Sequence, residues 1–172
     1  MTIALYEISV PVFRHGLNTL HRILDKAAAQ ANQRGYPLEL LLHSRFYPDM
    51  YPLSRQLERL SQIPLESCSV LTRQPLTPFA FADADFSQYQ QGLQHSLTQL
   101  DQLQPDAFVA ATVQPVVSEL AGETQHFVDG LHYLLQQAQP NFYFHLTTAY
   151  NLLRHNGVQL GKLDFLGYQA AR

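Results

Sequence analysis

The sequence predicts an all-α domain: a four-helix bundle with one small β-hairpin between the third and fourth helices. Four long segments carry apolar residues at three- and four-residue steps, which is the period of one helix face. Prolines and glycines separate these segments. One segment, 113–128, breaks the helical period. With 172 residues the chain is long enough for one well-formed core, so a single domain over 1–172 is expected.

The first helix is expected from Leu5 to Gln33. Phenylalanine, leucine and alanine side chains recur along it on one face. Pro11 lies within the first turns, which predicts either a kink or a helix that starts again at this residue. Gly35 stands where a C′ glycine would end the helix. The connection that follows is rich in proline and is expected to contain a short helix from Leu38 to His43.

The second and third helices have clear starting residues. Pro52 suits the first turn of the second helix, whose apolar pattern continues past Pro64 to Leu71. A proline in a helix interior removes a hydrogen bond, so a kinked but continuous helix is expected there. Asp85 is a suitable N-cap for the third helix, whose apolar face runs to Leu100.

The hairpin and the fourth helix complete the bundle. β-Branched residues flank Leu-Ala-Gly-Glu at 120–123, which predicts two short antiparallel strands within Val113–Val128. Asp129 is expected to cap a fourth helix that runs to Gln139. Pro140 is expected to kink this helix before it continues to Asn156.

Composition excludes several classes of function. The net charge is −3, so no basic surface indicates nucleic-acid binding. Cys68 is the single cysteine, which rules out an intrachain disulfide and a cysteine-based metal cluster. A buried, unreactive thiol is the interpretation that its apolar helix face favours. The chain shows no signal-peptide pattern and no apolar run long enough to cross a membrane, so a cytoplasmic location is expected.

The fourth helix contains the most informative pattern. Its core face is predicted to consist of Phe142, Leu146, Ala149 and Leu153. Polar and aromatic residues lie on both sides of that face, where a cleft between helices would find its hydrogen-bonding groups. The predicted cleft residues are Asn141, His145, Thr148, Tyr143, Tyr150 and Arg154.

Asn141 and His145 are four residues apart, a spacing that places two side chains on one helix surface. They could share a metal or a substrate. Alternatively, Asn141 caps the helix after Pro140 and His145 is a hydrogen-bonded, half-buried histidine; this interpretation is favoured because asparagine is a weak transition-metal ligand. No two of the eight histidines lie three or four residues apart. His145 is therefore the one metal ligand predicted, without identifiable companions.

Several motifs resemble an uncharacterised bacterial family. Near the end of the chain these are Asn-Phe-Tyr-Phe-His-Leu-Thr-Thr-Ala-Tyr, then Leu-Arg-His-Asn-Gly-Val and Asp-Phe-Leu-Gly. Near the start they are Leu-Tyr-Glu-Ile-Ser-Val-Pro-Val-Phe and Pro-Asp-Met-Tyr-Pro-Leu-Ser-Arg-Gln. The chain resembles the Domain of Unknown Function nineteen ninety-three family, within the DinB/YfiT-like metalloenzyme superfamily. The resemblance implies a DinB-like bundle with up-down-down-up topology.

The resemblance also implies where a metal would lie. DinB-like proteins typically bind a divalent metal through one histidine on the second helix and a His-x-x-x-His pair on the fourth. When the fourth helix of this chain is aligned with that pattern, His145 takes the last ligand position and Asn141 takes the position of the other histidine of the pair. The second-helix position is expected between Glu58 and Gln62, where no histidine occurs. By this resemblance, the sequence keeps one of the three histidine ligands, His145.

Two functional hypotheses follow. In the first, the chain is a small-ligand or partner-binding module with a degenerate metal site. In the second, it is a metal-dependent transferase or hydrolase that uses His145 with zinc or nickel. Whether the chain is an enzyme stays open at this point. A homodimer is also expected, because the surface is poor in charge and rich in glutamine and aromatic residues.

Overall fold

The computed structural model describes residues 4–81 and 85–168, which fold around one apolar core. The long helices are α1 (Val10–Arg34), α2 (Leu53–Thr72), α3 (Phe86–Asp101) and a fourth helix over 130–155, here called α4. α4 consists of an α segment, Gly130–Tyr133, a π segment, Leu134–Ala138, and a second α segment, Gln139–His155. This four-helix architecture confirms the predicted fold class.

Short elements connect and close the bundle. A 3₁₀ helix spans Leu38–His43, as expected, and two more span Pro105–Phe108 and Ala110–Thr112. The strands β1 (Val116–Leu120) and β2 (Glu123–Phe127) form an antiparallel hairpin, in which Val116 pairs with Phe127. The hairpin turn places Ala121 and Gly122 at positive φ. A two-residue turn needs this conformation to match the right-handed twist of the two strands. A last short helix, α5, spans Lys162–Phe165.

The predicted start of the first helix at Leu5 is wrong, since α1 begins at Val10. The reason is Pro11, which lacks an amide hydrogen and is accommodated best in a first turn, where that hydrogen has no partner. The preceding residues form turns instead, and the Ser9 hydroxyl donates to the Leu5 carbonyl at 2.8 Å. Gly35 ends the helix at φ 70°, as its position predicts.

The core brings α1 and α4 into close contact. Phe13 and Phe142 pack edge to face with ring centroids 5.2 Å apart, and both are fully buried. Gly16 makes this approach feasible, because a Cβ there would lie 2.4 Å from a ring carbon of Phe142. The predicted core face of α4 is buried throughout its length. This packing fixes the rotation of α4 about its own axis, and that rotation determines the direction of its polar side chains.

Besides Pro11 in the first turn of α1, Pro64 and Pro140 lie in the interior of long helices. α2 continues through Pro64, as predicted. Beside Pro64, the Ser96 hydroxyl of α3 donates to the Ser61 carbonyl at 2.6 Å. In α4 the π segment comes directly before Gln139 and Pro140. Pro140 cannot donate the usual backbone hydrogen bond, and the wider π turn accommodates that loss without ending the helix.

The C-terminal segment packs on α1. The Lys26 ammonium pairs with the Asp164 carboxylate of α5. The His15 imidazole hydrogen-bonds the Leu166 carbonyl at 3.1 Å, and the Arg22 guanidinium donates to the Gly167 carbonyl at 3.3 Å. These contacts order the tail after the last long helix. Within the described ranges, no helix has the length and hydropathy needed to cross a lipid bilayer.

Candidate functional site

His145 lies at the contact between α4 and the first turns of α2. Its side chain is buried, with 7% of the residue exposed. The ring Nδ1 lies 2.6 Å from Oε1 of Gln56. Because a carboxamide oxygen can only accept, Nδ1 carries the hydrogen and donates it. The His145 imidazole is therefore held by a side chain of the opposite helix.

A second hydrogen bond fixes the orientation of Gln56. Its Nε2 donates to the Tyr51 carbonyl at 3.1 Å. The amide therefore cannot rotate to present its NH₂ group to His145 without losing this bond. The result is a relay from the Tyr51 carbonyl through Gln56 to Nδ1 of His145. A neutral imidazole with its hydrogen on Nδ1 has a free lone pair on Nε2.

Burial and charge keep this imidazole neutral. The pKa of His145 falls from its ordinary value of 6.5 to about 4. Burial is the main cause, and the positive charges of Arg59 and Arg55 contribute further. Both arginines lie on α2, where Arg59 also binds the Glu66 carboxylate through two 2.8 Å hydrogen bonds.

A small cavity adjoins His145. It has a volume of about 210 Å³ and is here called the His145 cavity. Tyr51 stacks on the imidazole with centroids 6.4 Å apart, and Phe144 packs edge-on at 5.3 Å. The cavity is lined by Asp49, Met50, Tyr51, Gln56, Phe144 and His145. Its walls combine an aromatic surface with one histidine and one glutamine.

Asn141 lines a different cavity, here called the hairpin cavity. This cavity lies where α2, β1 and the π segment of α4 meet, and it has a volume of about 420 Å³. Its polar lining residues come from all three elements: Arg59, Glu66, Ser67, Ser118, Glu119, Tyr133, Gln137 and Asn141. Asn141 and His145 share a helix surface, as their spacing predicts, but they line separate cavities.

The other four predicted cleft residues line neither cavity. The Thr148 hydroxyl donates to the Phe144 carbonyl within the helix, at 2.7 Å. The Tyr150 hydroxyl accepts from Arg154 at 2.9 Å, and its ring packs against Phe165 of α5. Tyr143 is 37% exposed. The structure therefore does not bring the six predicted residues into one cleft, because they occupy different sides of α4.

The position on α2 that faces His145 is Gln56, before the segment from Glu58 to Gln62 where the resemblance placed it. The sequence did contain a signal for it. Gln56 interrupts the apolar face formed by Leu53, Leu57 and Leu60, and a glutamine on such a face is buried with a specific partner.

The donors around His145 differ from the three-histidine set that the resemblance implies. His145 faces the carboxamide of Gln56, and the second position of the pair is Asn141. Amide oxygens are poor ligands for zinc or nickel beside an imidazole. Within 4–81 and 85–168, no group of three or more histidine, cysteine or carboxylate side chains could hold a metal. The side chains around His145 therefore do not fit the three-histidine metal site.

The remaining polar pairs have local structural roles. His21 hydrogen-bonds Asp25 at 3.2 Å, and Asp129 caps α4 by accepting from the His132 amide at 2.9 Å. The Asp129 cap was expected from the sequence, and the His21–Asp25 pair lies on the exposed surface of α1. Cys68 is buried, and burial raises the pKa of its thiol, as an unreactive cysteine requires.

Comparisons with known proteins place this chain and its fold in a family. The family model described as Domain of unknown function (DUF1993) matches residues 5–166. The crystal structure of a DinB family member protein from Shewanella denitrificans is 33% identical, with a TM-score of 0.83. That match covers 98% of this chain and 94% of the other. No curated protein matches the chain. The chain therefore belongs to the DUF1993 family and has the DinB-like fold.

Proposed function

We propose that this chain is a small-ligand-binding module of the DinB-like fold, in which the inherited metal position serves as a hydrogen-bonding site. The observation that carries the proposal is the pairing of His145 with Gln56 across α2 and α4. A glutamine at this position stabilises the imidazole without a metal. It also leaves Nε2 as an acceptor for a ligand.

The cavity suggests the chemistry of the ligand. Aromatic rings from Tyr51 and Phe144 flank the imidazole, so a flat or apolar body would be buried against them. A neutral imidazole accepts one hydrogen bond, so the ligand would present a single O–H or N–H donor. A compact neutral molecule with one hydroxyl group satisfies both requirements.

Phenol is a suitable probe, and anisole is its matched control because it lacks the donor. We expect phenol to shift the ¹⁵N resonance of His145 Nε2 saturably, since accepting a hydrogen bond changes the shielding of that nitrogen. Anisole should leave the resonance unmoved. A His145→Gln variant assigns the signal. Equal shifts with both compounds, or no shift with phenol at its solubility limit, would contradict the proposal.

The metal-dependent alternative, a transferase or hydrolase that uses His145, has one observation in its favour. The Nε2 lone pair of a neutral imidazole can bind zinc or nickel. Metal analysis of protein purified without a histidine tag tests it. Stoichiometric metal that disappears in His145→Ala would support the enzyme, whereas metal-free protein would favour the binding module.

The expected homodimer is also kept as a proposal. Exposed apolar side chains on α4 support it, including Leu131, Leu135 and Phe144. Sedimentation at tens of micromolar protein should then give a species of twice 19.6 kDa. A species of 19.6 kDa would contradict the proposed dimer.

A further inference from the structure

The two strands of the hairpin leave some of their backbone groups unused. The turn consists of Ala121 at φ 54° and Gly122 at φ 83°, so Leu120 and Glu123 exchange backbone hydrogen bonds across it. Hydrogen-bonded pairs then alternate with non-hydrogen-bonded pairs along the antiparallel ladder. In every second pair, the N–H and C=O groups therefore point away from the partner strand, toward the outer edges of the hairpin.

On β2 the residues with outward groups are Thr124 and His126. They lie opposite Glu119 and Val117 of β1 in the two non-hydrogen-bonded pairs. Both β2 residues are exposed. Among residues 4–81 and 85–168, no group hydrogen-bonds their backbone N–H or C=O. The edge of β2 is therefore available for pairing with a further strand.

The two edges of the hairpin have different surroundings. β1 lies beside α2, and its residues Ser118 and Leu120 line the hairpin cavity together with Ile63 of α2. β2 adjoins a groove of about 480 Å³, here called the β2 groove, which separates it from α4. Phe127 of β2 and Phe144 of α4 belong to its apolar lining, and Phe144 is 56% exposed. The β2 edge thus combines unused backbone groups with exposed apolar surface.

The β2 edge is complementary to a second copy of itself. Two β2 strands can pair in antiparallel register about Gln125. Thr124 then lies opposite His126 of the partner subunit, and the outward groups of the two residues face each other. Each such pair can exchange two backbone hydrogen bonds. The Glu123 carboxylates of the two copies lie at opposite ends of this register, so like charges do not meet.

The exposed face of the sheet adds a polar contact to this register. The Glu119 carboxylate reaches across to β2, where it accepts from the Thr124 hydroxyl at 2.6 Å. The partner's His126 would follow in the same row, with its Cα about 5.5 Å from that of Thr124. Its ring N–H can then donate to the Glu119 carboxylate, and the twofold symmetry repeats the contact. A carboxylate therefore meets an imidazole on each side of the axis.

The opposite face of the sheet adds apolar contact. A twofold axis perpendicular to the sheet keeps the inner faces of both hairpins on the same side. The β2 grooves of the two copies then adjoin, and Leu120 and Phe144, which are 40% and 56% exposed, can lose surface to water. This contact adds to the strand pairing, since stable interfaces bury about 1,200–2,000 Å² in total.

We propose that a second copy of this chain binds at the β2 edge, so that two hairpins form one four-stranded antiparallel sheet centred on Gln125. The inference rests on the homodimer proposed above and names its interface. It does not depend on whether the His145 cavity binds a ligand.

Two proline variants test the interface by sedimentation. Val117 and His126 face each other across the hairpin, and the N–H of each points outward, so a proline at either position leaves the β1–β2 hydrogen bonds in place. His126→Pro should raise the dimer Kd at least about tenfold, because one backbone hydrogen bond is lost on each side of the axis. Val117→Pro changes the other edge and should dimerise as the parent chain does.

The outcomes separate the interface from the dimer itself. If the parent chain is a dimer and His126→Pro dimerises equally well, the proposed interface is overturned while the homodimer stands. If the parent chain sediments as a monomer, both are overturned, and the β2 edge is open only to a strand of another protein.

Hydrogen exchange of the parent chain tests the same interface without any substitution. The amides of Thr124 and His126 should exchange at least about tenfold more slowly in the dimer than at dilutions that give monomer. The amides of Val117 and Glu119, on the other edge, should exchange equally fast in both. A sample that sediments as a dimer but shows no slowing at Thr124 and His126 would overturn the proposal.

Discussion

Asn141 and His145 lie one turn apart on α4, yet their side chains differ in burial and in hydrogen bonding. His145 is buried and satisfied by Gln56, which is itself held by the Tyr51 carbonyl. Asn141 is partly buried, and its side chain hydrogen-bonds no other described residue; nearby, Gln137 Oε1 is unsatisfied. The His145 ring is thus held through Nδ1 by the neighbouring helix, whereas the Asn141 carboxamide has no side-chain partner among the described residues. Hydrogen-bond satisfaction, more than residue type, distinguishes them.

This difference matters for chains that retain a fold but depart from its metal-binding pattern. Loss of a histidine would leave a buried polar position that must be satisfied in another way. At His145 the hydrogen-bond partner is Gln56 of α2. At Asn141 the hairpin covers the position and leaves a cavity between β1 and α4. The two positions therefore differ in side-chain hydrogen bonding and in the cavity that they line, although they share one helix surface.

The largest expected effect on the free energy of unfolding comes from truncating the buried side chain of His145. His145→Ala removes a buried ring and leaves Gln56 Oε1 without its donor, so the free energy of unfolding should fall by about 3 kcal/mol. Asn141→Ala, one turn away, should change it by no more than about 0.5 kcal/mol. Urea unfolding of both variants measures the difference. Equal losses would contradict the contrast between the two positions.

The pH dependence of stability is the second test. The pKa of His145 is about 4 in the folded chain, against an ordinary value of 6.5. Below pH 6.5 the unfolded chain takes up a proton that the folded chain does not. The contribution of His145 should therefore lower the free energy of unfolding by about 2–3 kcal/mol between pH 6.5 and pH 4.

The variant His145→Gln provides the control for this pH dependence. Every other titrating group is common to the two proteins, so the difference between their stability curves isolates His145. Below pH 4 the folded chain also takes up the proton, and the two curves should become parallel. Curves that are parallel over the whole range would contradict the lowered pKa.

The third expected effect is smaller and concerns the hydrogen-bond relay. Gln56→Leu leaves the buried Nδ1–H of His145 without an acceptor and should lower the free energy of unfolding by about 1–2 kcal/mol. Gln94→Leu, on the exposed face of α3, is the matched control and should have little effect. Chemical denaturation compares the two. If Gln56→Leu were as stable as its control, the relay would not stabilise the fold.

Much of the fold could be predicted because its signals are local. Apolar periodicity and the caps Gly35 and Asp85 define helices from neighbouring residues alone, and the turn at Ala121 and Gly122 defines the hairpin. The π segment was not predicted. Pro140 indicates a local disturbance, but the widened turn depends on how the whole helix packs against α2 and the hairpin.

The site was less predictable because it depends on contacts between distant segments. His145 was identified, but its partner Gln56 is 89 positions away, and only its place on an apolar helix face marked it. The sequence around Gln137 likewise gives no sign of its hydrogen bond to Ser118, which exists only once the hairpin packs on α4. Tyr150 and Arg154 pair with each other, which removes them from the predicted cleft.

Arg59 connects the two regions and gives the smallest expected effect. It lines the hairpin cavity, and its positive charge also helps to lower the pKa of His145. Arg59→Met should therefore raise that pKa by less than about one unit, since burial remains the main cause. Arg14→Met removes a comparable charge from α1, where Arg14 pairs with Asp101, and serves as the control. NMR titration of the His145 ring measures both. If the pKa of His145 fell in Arg59→Met, or shifted equally in the two variants, the charge of Arg59 would have no specific effect on the imidazole. The hairpin cavity and the His145 site would then be electrostatically independent.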